Sequence, residues 1–150
     1  MHDADYEMAM ASMEEAEQIA HTTGLTALRI SLMRDRATME LEAGRHQAAI
    51  EASQALVRLA TTHEDVHSAQ RGQDLEATAM CLVGSNTDTS LEHLENSLQR
   101  ARSRQVPRDI YRCHLNLARA LEAMDRDSEA SKHRRQAEQL ASELRFSPAA

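Results

Sequence analysis

Small and apolar residues recur along this chain every three or four positions, with charged and amide residues between them. That spacing puts them on one face of a helix rather than on alternating faces of a strand. It predicts seven helices. The first covers 3 to 21, with Asp3 as N-cap, Gly24 closing it, and Met10, Met13, Ala16, Ile19 and Ala20 on one face. Leu25 to Ala43 and Gln47 to Thr62 follow, then a polar connection from His63 to Val66. His67 to Val83 is the fourth, with Gly72 expected to interrupt it near its start. Ser90 to Arg104 is the fifth, capped from Thr87, Asp88 and Thr89. Pro107 opens the sixth, where its missing N–H is not needed, and this helix reaches Met124. Ser128 to Arg145 is the last, and 146–150 read as a frayed tail.

The helices repeat in pairs. On one helix of each pair a small residue recurs at Ala37, Ala77 and Ala118, and seven residues later comes a turn at Gly44, Gly84 and Asp125. These residue types tolerate a left-handed backbone. On the other helix the small position is Ala9, Ala49, Ser90 and Ala130, in steps of 40, 41 and 40. Three more columns keep the same register: Ala16, Leu56, Ser97 and Ala137; Ile19, Leu59, Arg100 and Leu140; Ala20, Ala60, Ala101 and Ala141. The one extra residue falls in the turn SNTDTS after Gly84. An Ala-rich chain gives accidental matches, but four columns in one register with the insertion in a turn define a repeat.

The repeat resembles the tetratricopeptide repeat over roughly Ala9 to Leu144, nearest in HLNLARALEAMDRDSEASKHRRQAEQL (His114 to Leu140) and AGRHQAAIEASQAL (Ala43 to Leu56). Leu117, Ala118, Leu121, Ala130 and Ala137 stand where that family expects them. Arg36 stands where the family usually has Leu, Ser97 and Arg100 depart from the pattern, and aromatics are nearly absent. The period near 40 exceeds the family's usual ~34, as in longer-helix variants within bacterial regulators and signalling proteins. The resemblance implies an all-α solenoid of antiparallel hairpins: a half repeat at 3–24, then repeats at 25–63, 66–105 and 107–145. It also implies a single domain of about 3.5 repeats. Because the first helix lacks its own partner helix, the expectation is a fragment of a longer protein, or an array completed by another chain.

In this family the first helices line a concave face that holds protein or peptide ligands. Carried over position by position, the resemblance implies a groove presenting Arg34, Asp35, Thr38, Arg71, Asp74, Leu75, Thr78, Arg112, Leu115, Asn116 and Arg119. Within it, Arg112, Asn116 and Arg119 resemble the sets with which related arrays hold a peptide backbone or carboxylate, through bidentate guanidinium bonds. The competing reading of these positions is a solvated polar face.

Composition narrows the picture without changing it. With 41% hydrophobic residues, 27% charged, no Trp and 2% aromatics, the expected core is Ala, Leu, Ile and Met. No run approaches the roughly 18 apolar residues that span a membrane, and no signal peptide is evident. The two cysteines, Cys81 and Cys113, are read as buried free thiols, which places the chain in the cytoplasm. The net charge of −7 argues against nucleic acid as a partner. Charge is uneven: the first 24 residues hold six acids and no Lys or Arg, whereas the last helices are basic and ARSRQVPR (Ala101 to Arg108) is a local cluster. Solvated faces explain this, and so would contact between the acidic start of one copy and the basic end of another.

Catalytic motifs are sparse, and no cofactor or metal is expected. There is no G-x-S-x-G, P-loop or G-x-G-x-x-G. HEDVH, from His63 to His67, matches H-E-x-x-H literally, but a zinc hydrolase would need it inside one helix with a third ligand and a cleft. Here it falls at a helix junction. His114 and His133 read as packing or surface residues. The leading expectation is therefore a non-enzymatic scaffold or sensor module that binds a protein or peptide. The alternative is a self-assembly module that stacks copies through its open end, with Met10, Met13 and Ile19 as the contact.

Overall fold

The computed structural model describes residues 3–144 and contains, among them, seven α-helices and no strand. They are α1 (Asp3–Thr22), α2 (Thr26–Glu42), α3 (His46–Thr62), α4 (Val66–Val83), α5 (Thr87–Arg104), α6 (Pro107–Ala123) and α7 (Asp127–Leu144). The fold is all-α, and consecutive helices pack on one another, consistent with a helical-repeat solenoid. The chain divides within α4 into two compact units, Met1–Glu76 and Ala77–Ala150. No described helix is long and apolar enough to cross a membrane. The tail expected at 146–150 lies outside the described residues.

What ends each helix is the same at every junction. Gly24, Gly44, Glu64, Gly84, Gln105 and Asp125 all have positive φ, between 55° and 76°. At each, the left-handed residue donates its N–H back three residues, and the next residue donates back five. The second set of bonds runs from Leu25 to Ala20, Arg45 to Glu40, Asp65 to Ala60, Ser85 to Met80, Val106 to Ala101 and Arg126 to Leu121. This is the Schellman closure, which satisfies carbonyls that the helix end would otherwise orphan. The accepting carbonyls fall at 20, 40, 60, 80, 101 and 121, so the 40-residue period is two 20-residue units. The extra residue lies where the sequence placed it, after Gly84, and there Asn86 adds a second left-handed residue (φ 49°).

The repeat columns are the helix contact points. Ala37, Ala77 and Ala118 are buried, as are Ala20, Ala60, Ala101 and Ala141, and also Ala49, Ser90 and Ala130. Side chains of this size let helix backbones approach closely, which longer side chains would prevent. The polar departures are accommodated locally: Arg100 Nη2 donates to the buried Ser97 Oγ at 2.7 Å.

Three expectations are corrected. Gly72 does not interrupt α4. It is a packing position, where an added Cβ would lie 2.7 Å from Val57 Cγ2 and 3.2 Å from the Ser53 carbonyl. Thr87, Asp88 and Thr89 are not caps but the first turn of α5, because the helix starts as soon as Asn86 has redirected the chain. The core is not built from Ala, Leu, Ile and Met alone, since Tyr6 and Tyr111 are both buried and Met10 is the one buried methionine among the described residues.

In the first unit Tyr6 ties α1 to α2. Its hydroxyl donates to Glu40 Oε2 at 2.6 Å, and Arg45 lies over its ring at 4.0 Å. Burial, and then the bond to Glu40, push the Tyr6 pKa up to about 12. In the second unit Cys81, Leu94, Cys113, Leu117 and Leu121 centre one core cluster, and Tyr111, Ala137 and Ala141 form another.

Gly72→Ala is expected to destabilise the chain by about 1–3 kcal/mol, the usual cost of overpacking a tight contact. Gln105→Gly is expected to stabilise it by about 0.5–1 kcal/mol, because glycine adopts the left-handed backbone without a Cβ penalty. Urea unfolding curves with unchanged slope would measure both.

Candidate partner-binding surface

The groove residues implied by the repeat separate into those a ligand can reach and those it cannot. In the first unit, Arg34 is half-buried and Asp35 exposed, with Nε to Oδ1 at 3.6 Å. Thr38 spends its hydroxyl on the Arg34 carbonyl at 3.0 Å. Arg71 and Asp74 are half-buried. Leu75 is core at 4% exposure, so it presents nothing to a partner.

In the second unit Thr78 has no exposed surface at all and is likewise removed from the groove. On α6 the set is more coherent. Arg112, Leu115 and Arg119 are half-buried and spaced i, i+3, i+7, which puts them on one helical face. Arg112 Nη1 lies 3.5 Å from Asp109 Oδ1. Asn116 sits beside them at 8% exposure.

The self-association residues fare unevenly. Met10 is buried at 6% and cannot form a contact between copies, because it faces the unit's own core. Met13 is half-buried and Ile19 is 55% exposed. Met8, at 72% exposure, lies on the Ile19 face of α1, eleven residues or close to three turns away. Part of the acidic start is already matched within its own unit: Glu14 and Glu17 each lie 3.5 Å from Arg36, and Glu7 lies 3.7 Å from Arg45.

HEDVH is the stop and start of two helices. His63 follows the end of α3, Glu64 is the left-handed residue, and Asp65 accepts the Ser68 N–H at 3.0 Å as N-cap of α4. Bonds from Ser68 hold the Asp65 carboxyl below its usual range. The two histidines are thus not on one helix. Among the described residues no group of three His, Cys, Asp or Glu could hold a metal ion.

A pairing that the sequence did not disclose joins His114 on α6 to His133 on α7, with Nδ1 to Nδ1 at 2.8 Å. One ring must donate and the other accept, so the pair is satisfied when both are neutral with complementary tautomers. Nineteen residues and a turn separate them, and no motif spacing marks such a contact. Burial, then His133, then Arg102 lower the His114 pKa to about 4. Burial and Arg102 lower that of His133, against the opposing pull of Glu129 and Glu95. Cys81 and Cys113 are both buried thiols, and burial pushes the Cys81 thiol up.

A histidine whose pKa falls on folding takes up its proton more readily when unfolded. Its contribution is therefore complete above about pH 6.5 and is lost as the pH drops towards 4. For His114 that contribution is as much as about 3 kcal/mol at neutral pH. Urea unfolding is expected to show stability falling between pH 6.5 and 4, with a shallower fall in His114→Gln. No protein-family model matches the chain, and comparison with curated proteins finds no match.

Proposed function

We propose that this chain is a tetratricopeptide-like binding module, without catalytic activity of its own, that holds a protein or peptide segment against the exposed face of α6. The observation that carries the reading is the placement of Asn116 between Arg112 and Arg119 on α6, with Leu115 beside them. An extended peptide offers this set a backbone group for the amide and a carboxylate for a guanidinium fork. The side chain of Leu115 adds an apolar contact between them. The long repeat period supports placing such a module within a larger bacterial-type regulatory protein of the cytoplasm, acting as scaffold or sensor.

The test is a peptide array presenting free and amidated C-termini to the intact chain. Arg112→Ala with Arg119→Ala is expected to weaken the selected peptides at least tenfold without loss of helicity. Asn116→Ala is expected to weaken the same peptides without loss of helicity. Undiminished binding in both variants would remove α6 from the reading.

A second reading rests on the exposure of Met8, Ile19, Leu25 and Leu28 at the start of the chain. An apolar surface of this kind serves self-association. Light scattering after size exclusion is expected to show concentration-dependent dimers that Ile19→Asp with Met8→Asp abolishes. A monomer at every concentration and salt would dismiss this second reading.

A further inference from the structure

On the opposite side of α2 from Arg34, Asp35 and Thr38 lies a cavity of about 260 Å³ contained within the first unit. Ala48, Ala52 and Ala55 of α3 form one wall, with Met33 of α2. The remaining lining is charged: Glu17 from α1, Arg36 and Glu40 from α2, and Glu51 from α3. Met33, Arg36 and Glu40 fall on one helical face, and so do Ala48, Glu51, Ala52 and Ala55. The cavity is thus the gap left where the alanines of α3 meet the longer side chains of α2.

Its electrostatics are unbalanced. Three carboxylates line it against one guanidinium, and that guanidinium is already shared between Glu14 and Glu17 at 3.5 Å each. Glu40 is 5% exposed, and the bond that its carboxylate accepts from Tyr6 occupies Oε2. Glu17 Oε1 is buried and has no hydrogen-bond partner. Glu51 is exposed and accepts from Gln47 Nε2 at 3.3 Å, so the buried acceptor left without a donor is Glu17 Oε1. Burying it in this state is costly unless something donates to it.

We infer that this cavity is a binding site for a guanidinium group on a short aliphatic stem. A single metal ion does not fit, because no three acidic, His or Cys side chains among the described residues converge as a metal site requires. A guanidinium does fit, because its five N–H donors are spread over a plane and reach separate carboxylates at once. The alanines and Met33 take the methylene stem. The volume lies below the roughly 300–1,000 Å³ of sites for drug-sized ligands, which suits one side chain rather than a whole metabolite. Arg36, standing where a repeat of this kind usually packs leucine, is what opens the cavity to polar chemistry. The site uses none of the α6 residues and stands or falls separately from them.

The probe is butylguanidinium, titrated into the full ¹⁵N-labelled chain and followed by NMR. Saturable shifts are expected at the amides of Ala48, Ala52 and Ala55, with butylurea, its neutral isostere, at least tenfold weaker. Glu17→Gln with Glu51→Gln is expected to weaken binding at least tenfold, and Glu51→Gln alone, at an exposed position, is expected to weaken it at an unchanged melting temperature. Ala52→Leu fills the floor and is expected to abolish it. The tripeptide acetyl-Gly-Arg-Gly-amide separates two sources of the group. Tighter binding than butylguanidinium assigns the site to an arginine of a polypeptide, and equal or weaker binding assigns it to a free guanidinium compound. No saturable shift, equal binding of butylurea, or undiminished binding in the Glu17/Glu51 variant would overturn the assignment.

Discussion

The whole chain depends on how a helix is made to stop after five turns. At every junction one residue is forced into the left-handed region, and two backbone bonds close over it. Once that closure recurs each 20 residues, the same helical positions come round after each turn. Alanine is selected at those positions because the closures bring backbones near, and a larger side chain would push the helices apart. The insertion near Asn86 is tolerated because it lies outside the closing bonds rather than within a contact column.

A core of small residues leaves little apolar area per residue, so polar groups take on the task of fixing partners. Tyr6 with Glu40 and Arg45, and His114 with His133, are buried or half-buried pairings that join separate helices, and Ser97 with Arg100 is a pairing within α5. Such contacts add modestly to stability when satisfied and cost much when broken, which makes them specific rather than strong. The exposed ion pairs, such as Arg126 with Glu129, add little by comparison.

The helices, their order and their contact columns were legible in the sequence because periodicity and small residues are local signals. Gly24, Gly44, Gly84 and Asp125 marked four of the turns. Glu64 and Gln105 did not, since nothing in either side chain advertises a left-handed backbone, and so the 20-residue unit was read as one of 40. Gly72 was misread as a breaker because its role depends on Val57 of a neighbouring helix. The candidate surface was legible only as a list. The burial of Leu75, Thr78 and Asn116 is a property of packing that no spacing reports. Neither the histidine pair nor the cavity beside Arg36 has any sequence signature, because each is made by side chains brought together from separate helices.

The placement of the two thiols gives the second unit a property that the first lacks. Both cysteines of the chain lie in its main core cluster, and the first unit has none. Each becomes reactive only when that core opens. The rate at which a thiol reagent consumes them is therefore a clock for the opening of one half of the molecule, blind to motions of the other.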